Sequence, residues 1–136
     1  NKRIKFLNEV LAQINLTDIE TIHGRAEDYG HDKNYREQFD VCVSRAVANL
    51  STLSEYCIPF VKKGGYFVPF KSGKISEEVE EAKKAVHLLG GRIEQVVSTQ
   101  IPDTDIERSF ILINKRESTK KIYPRSAGKP SKEPLK

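Results

Sequence analysis

No run of apolar residues in this chain approaches the ~18 needed to cross a bilayer. Nor does a charged-then-apolar leader open it. Cysteine is almost missing. Cys42 and Cys57 stand alone, in apolar contexts and without metal-ligand spacing. That argues against a disulfide framework or a metal site, and for buried free thiols in a reducing compartment. His23, His31 and His87 are scattered, with no carboxylate at catalytic spacing. Internal repeats are lacking too. No glycine cluster follows a strand and opens a helix, the arrangement that cradles phosphate: Gly64-Gly65 precedes an expected strand and Gly90-Gly91 ends an expected helix. A cytoplasmic protein with no metal is expected.

What is present is enough for one domain with a real core: 136 residues, 38% hydrophobic and 31% charged. The net charge of +4 is unevenly placed. From Lys115 to Lys136 there are eight Lys/Arg against two Asp/Glu, and in the rest fifteen against seventeen. The basicity therefore sits in the tail, which points to a polyanion there or to an ordinary solvated tail.

Ile4, Leu7, Leu11 and Ile14, with Val10 beside them, recur at helical spacing and predict an amphipathic helix ending near Asn15. Residues 19–23 predict a short strand, Gly24 a sharp turn, and 25–28 one helical turn. A polar connection from 30 to 38 follows. Then comes Phe39-Asp40-Val41-Cys42-Val43-Ser44-Arg45, apolar on both faces, which suits a central strand covered on both sides. Ligands in open α/β sheets gather beyond the carboxyl ends of strands. Arg45 at such an end is a ligand contact or a solvated strand-end arginine.

Asn49 or Ser51 caps the next helix, which Pro59 ends or kinks. Residues 62–65 predict a turn and 66–70 a strand, with Pro69 interrupting its ladder. Ser76 predicts the cap of a helix whose stripe is Ile75, Val79, Ala82, Val86 and Leu89. Strands at 93–99 and 109–114, with no helix between them, predict an antiparallel pair. The segment from Tyr123 on, with three prolines, excludes helix and central strand. The expected order is α-β-α-β-α-β-α-β-β, a parallel sheet that ends in a hairpin.

That order, and the Lys62-Lys63-Gly64-Gly65 turn, are similar to class I S-adenosylmethionine-dependent methyltransferases. Three local motifs sharpen the likeness: His23-Gly24-Arg25-Ala26-Glu27-Asp28, Phe39-Asp40-Val41 through Ser44-Arg45-Ala46-Val47-Ala48, and Tyr123-Pro124-Arg125 through Gly128, Pro130, Lys132 and Pro134-Leu135. Together they resemble the small-subunit ribosomal RNA methyltransferase G family, also called glucose-inhibited division protein B. The resemblance implies a Rossmann-like α/β sheet lacking its first strands, because the family's glycine-rich cofactor loop is not in this chain. A methyltransferase part at 1–116, a basic proline-containing tail at 117–136 and a monomer are expected.

The implied activity is methyl transfer from S-adenosylmethionine to N7 of a guanine in 16S ribosomal RNA, with the RNA or the small ribosomal subunit as partner. The chain alone is expected to be inactive. Ala26, Glu27 and Arg45 are the implied cofactor contacts, and Arg45 and Lys71 the implied residues at the methyl-transfer site. Lys71, Lys120, Lys121, Arg125, Lys129 and Lys132 are the implied RNA contacts. An arginine forked on guanine O6 and N7 would block the reacting nitrogen, so Arg45 and Arg125 are expected on phosphate or O6. The other readings are a non-catalytic RNA-binding module that uses the basic tail, and a generic partner-binding α/β domain.

Overall fold

The computed structural model describes residues 1–45, 48–73 and 75–136. Helix α1 spans Lys2–Gln13, and the single turn α2 spans Ala26–Tyr29. Strand β1 (Phe39–Arg45), helix α3 (Leu50–Cys57), strand β2 (Val61–Ser72) and helix α4 (Ser76–Leu88) alternate. Strands β3 (Gly91–Gln100) and β4 (Glu107–Lys115) form the hairpin, and α5 (Lys129–Lys132) is a last short turn. The sheet order is β1-β2-β4-β3, parallel between β1 and β2 and antiparallel elsewhere.

Helices α3 and α4 lie on one face of this sheet and make the core with it. All five residues of the expected α4 stripe are buried there, against Phe67, Ile111 and Ile113. Of the two expected candidates it is Asn49 that caps α3, its side chain accepting the Thr52 N–H at 2.9 Å. Pro59 falls in a 3-10 turn, Ile58–Phe60, that ends α3. Pro69 sits inside β2, paired with Ser44 on the parallel side. On the antiparallel side the register passes from Phe67 to Phe70 without Val68 or Pro69, so the ladder is broken where the missing N–H predicts.

Several expectations need correction. Residues 19–23 are not in a strand. A strand needs a neighbouring ladder, and among the described residues none runs beside them. Residues 62–65 are a bulge inside β2 rather than a turn before it: from Phe39↔Val61 to Val41↔Tyr66, β1 advances two residues and β2 five. Gly64 makes this possible at φ +88. Among the described residues β1 stands at the edge of the sheet, not in its centre. Phe39, Val41 and Val43 are exposed on the face away from α3. Cys42 and Cys57 are accordingly half-buried, their thiols side by side, and the hydrogen bond with the Cys42 sulfur, with burial second, pushes the Cys57 thiol up.

Ser76 is the first helical residue and makes no side-chain cap; Ile75 stands at the cap position. Finally, the tail is not irregular throughout. Pro130 occupies the first turn of α5, the one helical place where its missing N–H costs nothing.

The tail is a strap. Tyr123 is buried in the core cluster, and Leu135 packs against it. Thr119 donates through Oγ1 to the Leu89 carbonyl at 2.6 Å and through its N–H to Glu37 at 2.7 Å. The Arg36 guanidinium donates to the carbonyls of Gly30, Thr119, Lys120 and Tyr123 at 2.7–3.1 Å. One side chain thus fastens the strap to the loop after α2. With α4, the sheet and the strap all packed on α3, residues Leu50 to Glu55 are all buried.

Candidate cofactor and substrate site

The carboxyl ends of β1 and β2 make one rim. Parallel register sets Arg45 opposite Phe70, with Lys71 and Ser72 just beyond. A groove of about 650 Å³ opens here between the two strand ends and the β3–β4 loop, lined among others by Arg45, Phe70, Ile101, Arg108 and Phe110. Its floor is aromatic: Phe70 and Phe110 meet edge to face at 4.9 Å. Arg45 is exposed, and among the described residues no carboxylate or carbonyl engages its guanidinium. An uncommitted planar fork above an aromatic floor fits a ligand that carries both a flat ring and an anionic group.

The expected site residues divide into those facing solvent and those spent inside the protein. Lys71 shares the rim with Arg45, but its ammonium turns inward to the Ala48 carbonyl (2.7 Å) and to Glu78. Arg125 also turns inward. Its Nε and Nη2 fork onto both oxygens of Glu55 at 2.7–3.3 Å, its backbone N–H donates to the same carboxylate, and Nη2 also reaches the Glu133 carbonyl. Glu55 is fully buried, and such a charge needs this full set of donors. Lys120, Lys121, Lys129 and Lys132 are exposed along the strap.

Ala26 and Glu27 open α2, which packs against α3. The Glu27 carboxylate is buried and accepts the Gly128 N–H of the strap at 3.0 Å. The Glu27 side chain is therefore committed to the tail, and the backbone of the pair with the half-buried Ala26 methyl is left for a ligand.

Sequence reasoning missed Glu55, Glu78, Arg36 and Lys115. Lys115, buried at the end of β4, donates to the carbonyls of Ile58 and Val61 at 3.0 and 2.9 Å and pairs with Glu37 at 3.2 Å. Burial holds its pKa below the ordinary lysine value, and Glu37 partly offsets the shift. For Glu78 there was a local signal, an acidic residue in the first turn of a helix. The others pair across long sequence separations that no spacing rule reveals. Among the described residues, no group of three or more His, Cys, Asp or Glu is placed to hold a metal ion, and no helix is long and apolar enough to cross a membrane.

The family model for GidB, rRNA small subunit methyltransferase G, matches residues 1–110. The chain belongs to this family. It is 54% identical over 135 residues to a Ribosomal RNA small subunit methyltransferase G of Lachnoclostridium phytofermentans, covering 99% of this chain and 56% of the relative. With the protein of that name from Clostridium tetani it shares 48% over 136 residues, 100% of this chain and 57% of the relative. The chain thus spans little more than half the length of these relatives.

Among solved structures, the Methanococcus jannaschii fibrillarin pre-rRNA processing protein superposes with a TM-score of 0.58 at 22% identity, covering 83% of this chain and 53% of that one. A SAM-dependent O-methyltransferase from Thermotoga maritima gives 0.51 at 18%, covering 85% and 47%. These likenesses carry the fold, a class I methyltransferase sheet with its closing hairpin.

Proposed function

We propose that this chain is the carboxyl-terminal part of an S-adenosylmethionine-dependent methyltransferase of the cytoplasm that acts on N7 of a guanine in 16S ribosomal RNA. The observation that carries the reading is Arg45: exposed at the carboxyl end of β1 and, among the described residues, without a carboxylate or carbonyl partner, at the position that the resemblance assigns to the site. The name the relatives bear supports the RNA substrate, and their identity of about half runs the whole length of this chain.

When bound, S-adenosylmethionine supplies an electrophilic sulfonium methyl group. A guanine N7 lone pair is free at neutral pH, so the protein need not remove a proton. The work left to the protein is positioning and exclusion of water. Arg45 would hold a carboxylate or a phosphate through its fork. The backbone of Ala26 and Glu27 would flank the cofactor's base, while the Glu27 side chain keeps its bond to Gly128. Phe70 and Phe110 would give the groove a dry floor. Lys120, Lys121, Lys129 and Lys132 would neutralise RNA phosphates, and Arg125 would fix the strap that presents them. The upstream part carried by the relatives would complete the pocket.

The test uses this chain preceded by that upstream part, S-adenosylmethionine with a labelled methyl group, and either 16S RNA or the small subunit. Recovery of 7-methylguanosine by mass spectrometry is the expected result. Label on another atom would correct the N7 assignment. RNA binding without transfer would favour a non-catalytic RNA-binding module. Replacing the four exposed strap lysines by alanine should flatten the log affinity–log salt slope by roughly 0.7 to 0.9 for each phosphate no longer neutralised.

A further inference from the structure

One ion pair grips the backbone at Ala48 and at Leu50, the start of α3. The Lys71 ammonium donates to the Ala48 carbonyl at 2.7 Å and contacts Oε1 of Glu78. That same oxygen accepts the N–H of Leu50 at 2.8 Å. The carbonyl before Asn49 and the amide after it are therefore held by a single pair. Lys71 reaches them from the end of β2, one residue beyond Phe70, the ladder partner of Arg45. Strand pairing thus holds Arg45, and Lys71, Glu78 and the Asn49 cap hold Ala48 and the start of α3. The Lys71 side chain is only 9% exposed. Pulling its ammonium out to a phosphate would leave Glu78 half-desolvated and a carbonyl unpaired, which is costly.

We propose that Lys71 and Glu78 are positioning residues for methyl transfer, setting the backbone at Ala48 and Leu50 behind the rim and touching neither cofactor nor RNA. This rests on the methyltransferase reading above.

Glu78→Gln tests it in the complete enzyme, this chain with the upstream part of its relatives. The amide keeps an oxygen for Leu50 but loses the charge that holds Lys71. Expected is a fall in kcat of about tenfold, the equivalent of one charge-assisted hydrogen bond. KM for cofactor and for RNA should stay within about twofold, since the groups that bind them are untouched. Amide exchange should quicken at Leu50 but not at Phe67 or Ile111. Lys71→Arg, which keeps a charge and several donors, should retain more activity than Lys71→Met.

A raised RNA KM in Lys71→Met, with a salt slope flatter by about 0.7 to 0.9, would make Lys71 a phosphate ligand and overturn the proposal. Unchanged kcat in Glu78→Gln, whether or not the melting temperature falls, would overturn it too. Were the methyltransferase reading itself at fault, the complete wild-type protein would transfer no methyl group, a failure seen before any variant is made.

Discussion

The two faces of this sheet are cut from the same strands and live in different surroundings. Under α3 and α4, Phe67, Ile111 and Ile113 are at most 1% exposed. Even the charges on that side, Lys71 and Lys115, are buried against partners. On the opposite face Val41 and Val43 are 54% and 60% exposed, although they alternate along β1 with half-buried Cys42 and Ser44. Helix α1 repeats the contrast: it is amphipathic, yet buries none of its residues. An apolar pattern records what a segment is suited to pack against. Burial records what packs against it here.

The largest effect should come from breaking the covered side. Arg125→Ala leaves the Glu55 carboxylate buried without its fork, and should cost about 3–5 kcal/mol in denaturant unfolding. Val43→Ser on the open face should change the stability of this chain by less than about 0.5 kcal/mol. The contrast sharpens in the complete enzyme proposed above, with the upstream part inferred there added. With a cover over β1, the same Val43→Ser should cost about 1.5–3 kcal/mol, the worth of a buried valine side chain. A cost that stays near zero would mean that the upstream part does not pack on this face.

At the rim, Arg45→Ala in the complete enzyme should lower methyl transfer about 10- to 100-fold, the range of one or two charge-assisted hydrogen bonds. The melting temperature should hold, because Arg45 is exposed; wild-type turnover would remove it from the site. The smallest effect is electrostatic. Burial holds Lys115 below lysine's ordinary 10.5. Between the lowered folded value and the unfolded one, the unfolded chain binds more protons, so the Lys115 contribution makes stability rise with pH. Below that window the burial penalty is present in full. Wild type compared with Lys115→Met across alkaline pH should therefore show a difference that moves in favour of wild type as pH rises.

Much of this was legible locally. Periodicity alone gives α1 and the α4 stripe, Asn49 gives the cap of α3, and the absence of a helix between β3 and β4 gives their antiparallel pairing. The strand expected at 19–23 fails because a strand exists only beside another, and pattern says nothing of the neighbour. The bulge at 62–65 reads as a turn because Gly64 serves both with the same positive φ. At the site, the rim position of Arg45 follows from strand order, but the inward turn of Lys71 and Arg125 does not. A basic residue reads the same whether its partner is a phosphate or a glutamate 70 residues away.

That separation has a consequence for how the molecule is made. The ribosome releases Glu55 well before Arg125, so for the length of 70 residues the nascent α3 carries a carboxylate whose burial has no donor to answer it. Helix and sheet can pair in that interval, but the native seat of Glu55 in the interior stays closed to its charged form until the strap emerges. The core around Glu55 is thus completed only once the strap, 70 residues further along the chain, has been synthesised. Chains stalled before Arg125 should remain open to limited proteolysis within α3, and chains stalled far enough beyond Leu135 for the strap to clear the tunnel should not.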